Sequence, residues 1–193
     1  MAQTRIRFTT AAQVFEAFPA AREDIEAKPT QDAPLAFLRS LASSATPEDA
    51  IAFCAYVLPR REAVWWACQC VRALIPARGP EEEAGLAAAE AWVREPEEER
   101  RLQALRLGMS ADRGLPTTWL ALAAAWSGGS MTPPEEGVAV PAPAHLTAQA
   151  ARAAVLIALA RIGARERAAY MASCLDGGVR LAGGQPEAGT RAG

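Results

Sequence analysis

Histidine is the scarcest reactive residue in this chain: His145 is the only one in 193 residues. That removes the commonest general base and metal ligand from nearly the whole sequence. The cysteines and carboxylates do not have metal-ligand spacing either, so no metal and no cofactor are expected. There is no glycine-rich phosphate loop, and almost nothing reads as a strand. The longest unbroken apolar run, Ala50 to Leu58, falls far short of the ~18 residues of a membrane span, so no membrane insertion is expected. No apolar stretch follows Arg5 and Arg7 as it would in a secretory leader. Cys54, Cys68, Cys70 and Cys174 lie in apolar segments as small hydrophobes, and a reducing, cytoplasmic location is expected. Cys68 and Cys70, two apart on a helix, point in different directions and suit neither a disulfide nor a shared metal. Net charge is also small, −2 from 20 basic and 22 acidic residues, which argues against nucleic-acid binding. Lys28 is the single lysine, so the basic residues are almost all arginine.

What the chain does have is alanine, five tryptophans, and proline as punctuation. Hydrophobic residues make up 51%, enough for a core, although alanine buries little area per residue. Pro19, Pro34, Pro47, Pro59, Pro80, Pro96 and Pro116 separate short apolar segments. Proline is tolerated in the first turn of a helix and breaks its interior. The pattern predicts an all-α fold, a compact bundle of about seven to nine short helices. Residues 1–9 read as an extended arm, 10–182 as one helical domain and 183–193 as a disordered tail.

Several boundaries are explicit. Thr10 is placed to cap a helix ending at Phe18, and Pro34 to open another. Thr46 reads as a cap, with Pro47 at the first position and Asp49 three after the cap. Pro80 and Pro96 are each followed by three glutamates, where the helix dipole favours anions. Thr117 or Thr118 begins an apolar helix that Gly128-Gly129 ends. Residues 131–146 form a loop with four prolines, Thr147 caps the next helix, and Gly177-Gly178 follows a last helix ending near Leu175. Pro19, Pro59 and Pro96 recur about every 40 residues, a period also found in helical-repeat arrays.

Two segments stand out as candidate sites. Arg60-Arg61-Glu62-Ala63-Val64-Trp65-Trp66 opens the longest apolar helix. Arginines are misplaced at a helix start, where the dipole disfavours cations, and pairing with carboxylates from the next helix pair would account for them. Trp65 and Trp66, ~100° apart on the wheel, either both flank a core stripe or leave one indole at a partner groove. Trp126-Ser127-Gly128-Gly129-Ser130, followed by Pro133-Pro134, reads either as a helix stop with a rigid turn or as a loop that receives a peptide or ligand. Gly-x-Ser-x-Gly after a strand, the nucleophile elbow, does not occur there. His145 lacks the partners of a catalytic base.

These stretches, together with Ala91-Trp92-Val93-Arg94-Glu95-Pro96 and Trp119, resemble a family of small bacterial proteins known as a domain of unknown function. The resemblance covers roughly residues 45–183 and rests on the Leu58–Trp66 and Trp126–Pro134 motifs. Genes of that family tend to lie in type VI secretion clusters, so the resemblance implies an adaptor or chaperone for a secreted effector or spike-tip component. It implies no catalytic residues. The candidate partner-binding residues are Arg60, Arg61, Glu62, Trp65, Trp66, Trp126, Ser127, Gly128, Gly129, Ser130, Pro133 and Pro134, and the adaptor reading expects a groove lined by Trp65 or Trp66, Trp126 and the Pro-rich loop. A homo-oligomeric structural or regulatory module is the alternative, and an enzyme using Glu, Asp or Arg side chains is a more distant one.

Overall fold

Proline and glycine set most of the element boundaries. In the computed structural model, which describes residues 4–183, ten α-helices follow one another. They are α1 (Ala11–Ala17), α2 (Ala21–Asp24), α3 (Pro34–Ala42), α4 (Glu48–Val57), α5 (Arg60–Leu74), α6 (Pro80–Arg94), α7 (Glu98–Ser110), α8 (Pro116–Ala125), α9 (Leu146–Ala160) and α10 (Ala164–Ala182). A 3-10 turn, Pro134–Glu136, lies in the loop before α9. Among the described residues no strand forms, and one isolated antiparallel bridge joins Ser130 to Pro141. The chain is thus all-α, with α2 a single turn of four residues.

Pro34, Pro80 and Pro116 each hold the first helical position, where the missing N–H has no helical partner to lose. The Thr10 side chain accepts the Gln13 N–H and caps α1. Three other threonine and proline signals resolve differently. Thr46 does not cap α4. Its hydroxyl donates to the Asp49 carboxylate at 3.2 Å, and the same carboxylate accepts the Glu26 and Ala27 N–H groups, both at 3.1 Å. Asp49 is nearly buried and ties the 25–27 turn to α4. Thr147 lies inside the first turn of α9, and its hydroxyl donates to the Trp126 carbonyl at 3.1 Å. Pro96 stands two residues ahead of α7, whose N-cap is Glu97 in extended geometry.

The largest departure is in α10, which runs through Gly177-Gly178 to Ala182. Gly178 faces the core, where an added Cβ would collide with Cys54 Sγ and sit 3.2 Å from Trp66 Nε1. Here glycine buys close approach of α10 to α4 and α5, and it does not end the helix. Of the expected tail, 183–193, all but Gly183 lies outside the described residues. Part of the N-terminal arm does dock: Arg5 N–H and the Thr4 hydroxyl both donate to the Ala182 carbonyl, at 2.9 and 3.2 Å.

Packing is centred on α8 and α9. α8 lies against α5, α6, α7 and α9, and nine of its ten residues are buried. α9 packs on α4, α5, α8 and α10, and α10 reaches back to α3, α4 and α5. The units of a solenoid touch only their neighbours, so the spacing of Pro19, Pro59 and Pro96 does not mark a repeat array. Among the described residues no helix is long and apolar enough to cross a membrane.

Candidate functional site

The arginines that open α5 reach the carboxyl ends of other helices. Arg61 Nε donates to the Val93 carbonyl at 2.7 Å and its Nη2 to the Arg94 carbonyl at 3.4 Å. Arg60 Nη1 donates to the Ser127 carbonyl at 2.6 Å. The last carbonyls of a helix have no partner within it, and cations are favoured there. The pairing with carboxylates expected for Arg60 and Arg61 is therefore replaced by pairing with the ends of α6 and α8. The device recurs: Arg167 donates to the Leu159 and Ile162 carbonyls at the end of α9, and Arg78 to the Ile75 carbonyl just after α5. Arginine suits this role because its donors form a rigid fork.

Seating Arg61 on the end of α6 opens a cleft of about 380 Å³, lined by Arg5, Arg61, Glu62, Trp65, Val93 and Arg94. Trp65 is half-buried and packs against the core with part of its ring. Arg5 approaches Glu62 at 3.5 Å, a long, partly exposed ion pair that contributes little to stability. Trp66 points the other way and belongs to the core, 2% exposed. Its Nε1 donates to the Cys174 carbonyl of α10 at 2.8 Å. Neighbouring positions on a helix face different directions, so the tryptophan pair divides between core and cleft.

The Trp126–Pro134 motif builds a second, separate feature. Arg101 of α7 is almost fully buried. Its Nη1 donates to the Ala125 and Ser130 carbonyls, both at 2.9 Å, and its Nε and Nη2 grip Glu98 at 2.7 and 2.6 Å. Gly129 wraps this guanidinium. Its φ is +66°, and a Cβ there would stand 3.0 Å from the Arg101 Cζ, two independent reasons for glycine. Gly128 is half-buried with open space beside it. Ser130 Oγ accepts the Thr132 and Val140 N–H groups at 3.1 Å each. Backbone bonds from Met131 to Val140 and from Ala142 to Gly129 close the loop. A smaller cavity, about 190 Å³, lies over Arg101, with Ser130, Pro133 and Pro134 in its wall.

Neither cleft joins Trp65 or Trp66 to Trp126 and the Pro-rich loop. Arg61, Glu62 and Trp65 share the larger cleft. Ser130, Pro133 and Pro134 wall the smaller one, while Trp66 is inside. The Arg60–Ser127 bond joins the two motifs. Trp126 is half-buried, and its Nε1 is enclosed without a hydrogen-bond partner among the described residues. Sequence reasoning missed Arg5 and Arg94 at the first cleft and Arg101 at the second. The last was visible only as one arginine among many, since the residues it binds lie up to 29 positions away.

The electrostatics follow from these contacts. The hydrogen bonds from Arg101 hold the Glu98 carboxyl below its ordinary range, and Arg106 does the same to Glu135. Burial, and then the hydrogen bond to Asp24, push the Tyr56 phenol up. All four cysteines are free and buried, and burial raises the Cys54 and Cys68 thiols well above the usual value. Among the described residues no group of three His, Cys, Asp or Glu side chains is placed to hold a metal.

Taken together these features define an all-helical protein with an indole-floored cleft between helix ends. The chain belongs to the family of unknown function DUF6931, whose pattern matches residues 37–182. No curated protein and no solved structure matches it.

Proposed function

We propose that this protein acts by holding another protein, as an adaptor or chaperone without chemistry of its own, and that the cleft beside Trp65 is where the partner docks. The observation that carries this reading is the cleft's composition. A half-buried indole sits among guanidinium groups, two of them on different helices and one on the N-terminal arm. Tryptophan and arginine dominate binding hot spots because each offers a large contact area with a polar edge. Among the described residues lining the cleft only Glu62 is a carboxylate, and it faces Arg5, which is a poor start for paired acid–base chemistry. The resemblance noted in the sequence supports a narrower proposal, that the partner is a secreted effector or spike-tip component of a type VI secretion system, met in the cytoplasm.

A photo-crosslinking residue placed at Trp65 in the native host tests the reading. The expected result is a covalent adduct with one recurrent protein, identified by mass spectrometry. A crosslinker at exposed Met109, outside the cleft, should not give it. No adduct at Trp65, or the same adducts at both positions, removes the reading.

A further inference from the structure

We infer that the cleft receives an acidic segment of its partner, with an apolar side chain of that segment lying on the Trp65 ring. The inference rests on the protein-binding reading and adds the chemistry of what is bound. The chain as a whole is slightly acidic, with a net charge of −2, yet among the described residues this cleft gathers Arg5, Arg61 and Arg94 against the single carboxylate of Glu62. The sign of the cleft is thus opposite to that of the molecule. A basic segment would meet three guanidinium groups, and a neutral one would leave their charge unanswered. A carboxylate can take two parallel hydrogen bonds from each guanidinium it meets.

The three arginines are held differently. Arg61 is fixed by its two bonds to the end of α6, so its charge stays at the cleft wall. Arg5 is carried by an arm whose backbone is pinned to the end of α10, and it meets Glu62 only at 3.5 Å. Such a loose pair can exchange partners at little cost. The exposed Arg94 guanidinium has no hydrogen bond or ion pair among the described residues. Val93 and Trp65 supply apolar surface between these charges. A volume of about 380 Å³ has room for a few side chains and not for a folded surface. An extended acidic stretch interrupted by an apolar residue fits these limits.

The test uses the full chain and two fluorescein-labelled hexapeptides, Glu-Glu-Leu-Phe-Glu-Glu and its counterpart with glutamine at every glutamate, read by fluorescence anisotropy. The acidic peptide should bind at least about tenfold more tightly than the glutamine peptide, and raising salt should weaken it, because the discrimination is charge complementarity at a wet surface. Arg94→Glu should weaken the acidic peptide by about tenfold and Arg94→Lys by no more than about threefold. Both variants should keep the circular dichroism of the parent, since Arg94 is exposed. Equal affinity for the two peptides, no saturable binding of the acidic one, or binding untouched by Arg94→Glu would overturn the inference. The crosslink at Trp65 separates the two failures. An adduct there without acidic preference leaves the docking reading standing and removes only the chemistry proposed for it.

Discussion

Two halves of the interior are filled in opposite ways. Around α1, α3 and α4 the core is made of rings. Phe15, Phe37 and Phe53 meet one another with centroids 4.9 to 6.2 Å apart, and Phe18 lies 5.5 Å from Tyr56. Around α8 the core is made of small side chains and closely approaching backbone. Leu120 to Ala125 are all 0% exposed, and the neighbouring helices turn their smallest residues to them. A Cβ on Gly85 of α6 would lie 2.7 Å from the Thr117 carbonyl oxygen, and one on Gly108 of α7 would lie 2.8 Å from Leu122. The ring cluster gains stability from area removed from water. The α8 seam gains it from many close contacts of small groups, each weak alone. The first should be sensitive to lost volume and the second to added volume.

Phe53→Ala tests the ring side and should have the largest effect. The side chain is fully buried and touches two other rings, so its removal should cost about 3–5 kcal/mol of unfolding free energy in urea. A loss under about 1 kcal/mol would mean the cluster refills the space, and the contrast would fail on that side.

Arg101→Ala comes next, because each half also has a polar seal. On the ring side it is Asp49 with the 25–27 turn, and the pair of Asp24 with Tyr56 at 2.5 Å. On the α8 side it is Arg101, which closes the end of the helix. Losing its bonds leaves the Ala125 carbonyl buried and unpartnered, at a cost of about 2–3 kcal/mol. Amide exchange should quicken first at Met131 and Ala142, the N–H groups that close the loop. Uniform quickening across the chain would instead make Arg101 a general stabiliser and not a local seal.

Gly85→Ala probes the seam directly, and two effects compete. Alanine is the better helix former by about 1 kcal/mol. Its Cβ, however, meets main chain at the start of α8, which cannot step aside as a flexible side chain could. Overpacking costs about 1–3 kcal/mol, so a net loss of about 1 kcal/mol is expected. A gain in stability would show that α6 can slide off α8.

The boundaries that sequence alone revealed were those decided within a few residues. Pro34, Pro80 and Pro116 mark helix starts through their own geometry, and Thr10 caps the turn that follows it. What escaped was decided at a distance. Gly177-Gly178 has the composition of a stop, but Cys54 and Trp66 arrive from elsewhere in the chain and need the space a side chain would take. Thr147 has the right chemistry for a cap but bonds the Trp126 carbonyl, and Thr46 turns to an Asp49 carboxylate that the distant Glu26 and Ala27 N–H groups hold in place. At the candidate site, the misfit of Arg60 and Arg61 with their own helix dipole was legible. The helix ends that resolve it were not, because Val93 and Ser127 are brought there only by the tertiary fold. The same holds for Arg5 and Arg94, which carry no local signal and gain significance only beside Trp65.

The smallest expected effect is a pH dependence at the Arg101 seal. Hydrogen bonds from Arg101 lower the Glu98 pKa in the folded protein below the ordinary 4.5. A depressed carboxyl contributes stability that is present above the unfolded value and is lost as pH falls through the folded value. Wild type should therefore exceed Glu98→Gln near neutral pH, and the gap should close as pH drops below 4.5. Glu98 is itself 64% exposed, so solvent screening keeps the gap small. Urea midpoints of the two proteins across that range measure it. A gap that widens on acidification would mean the carboxyl is worth more protonated than charged. Arg101 would then owe its position to the Ala125 and Ser130 carbonyls alone, and the seal on the α8 side would be a guanidinium held by main chain without an ion pair.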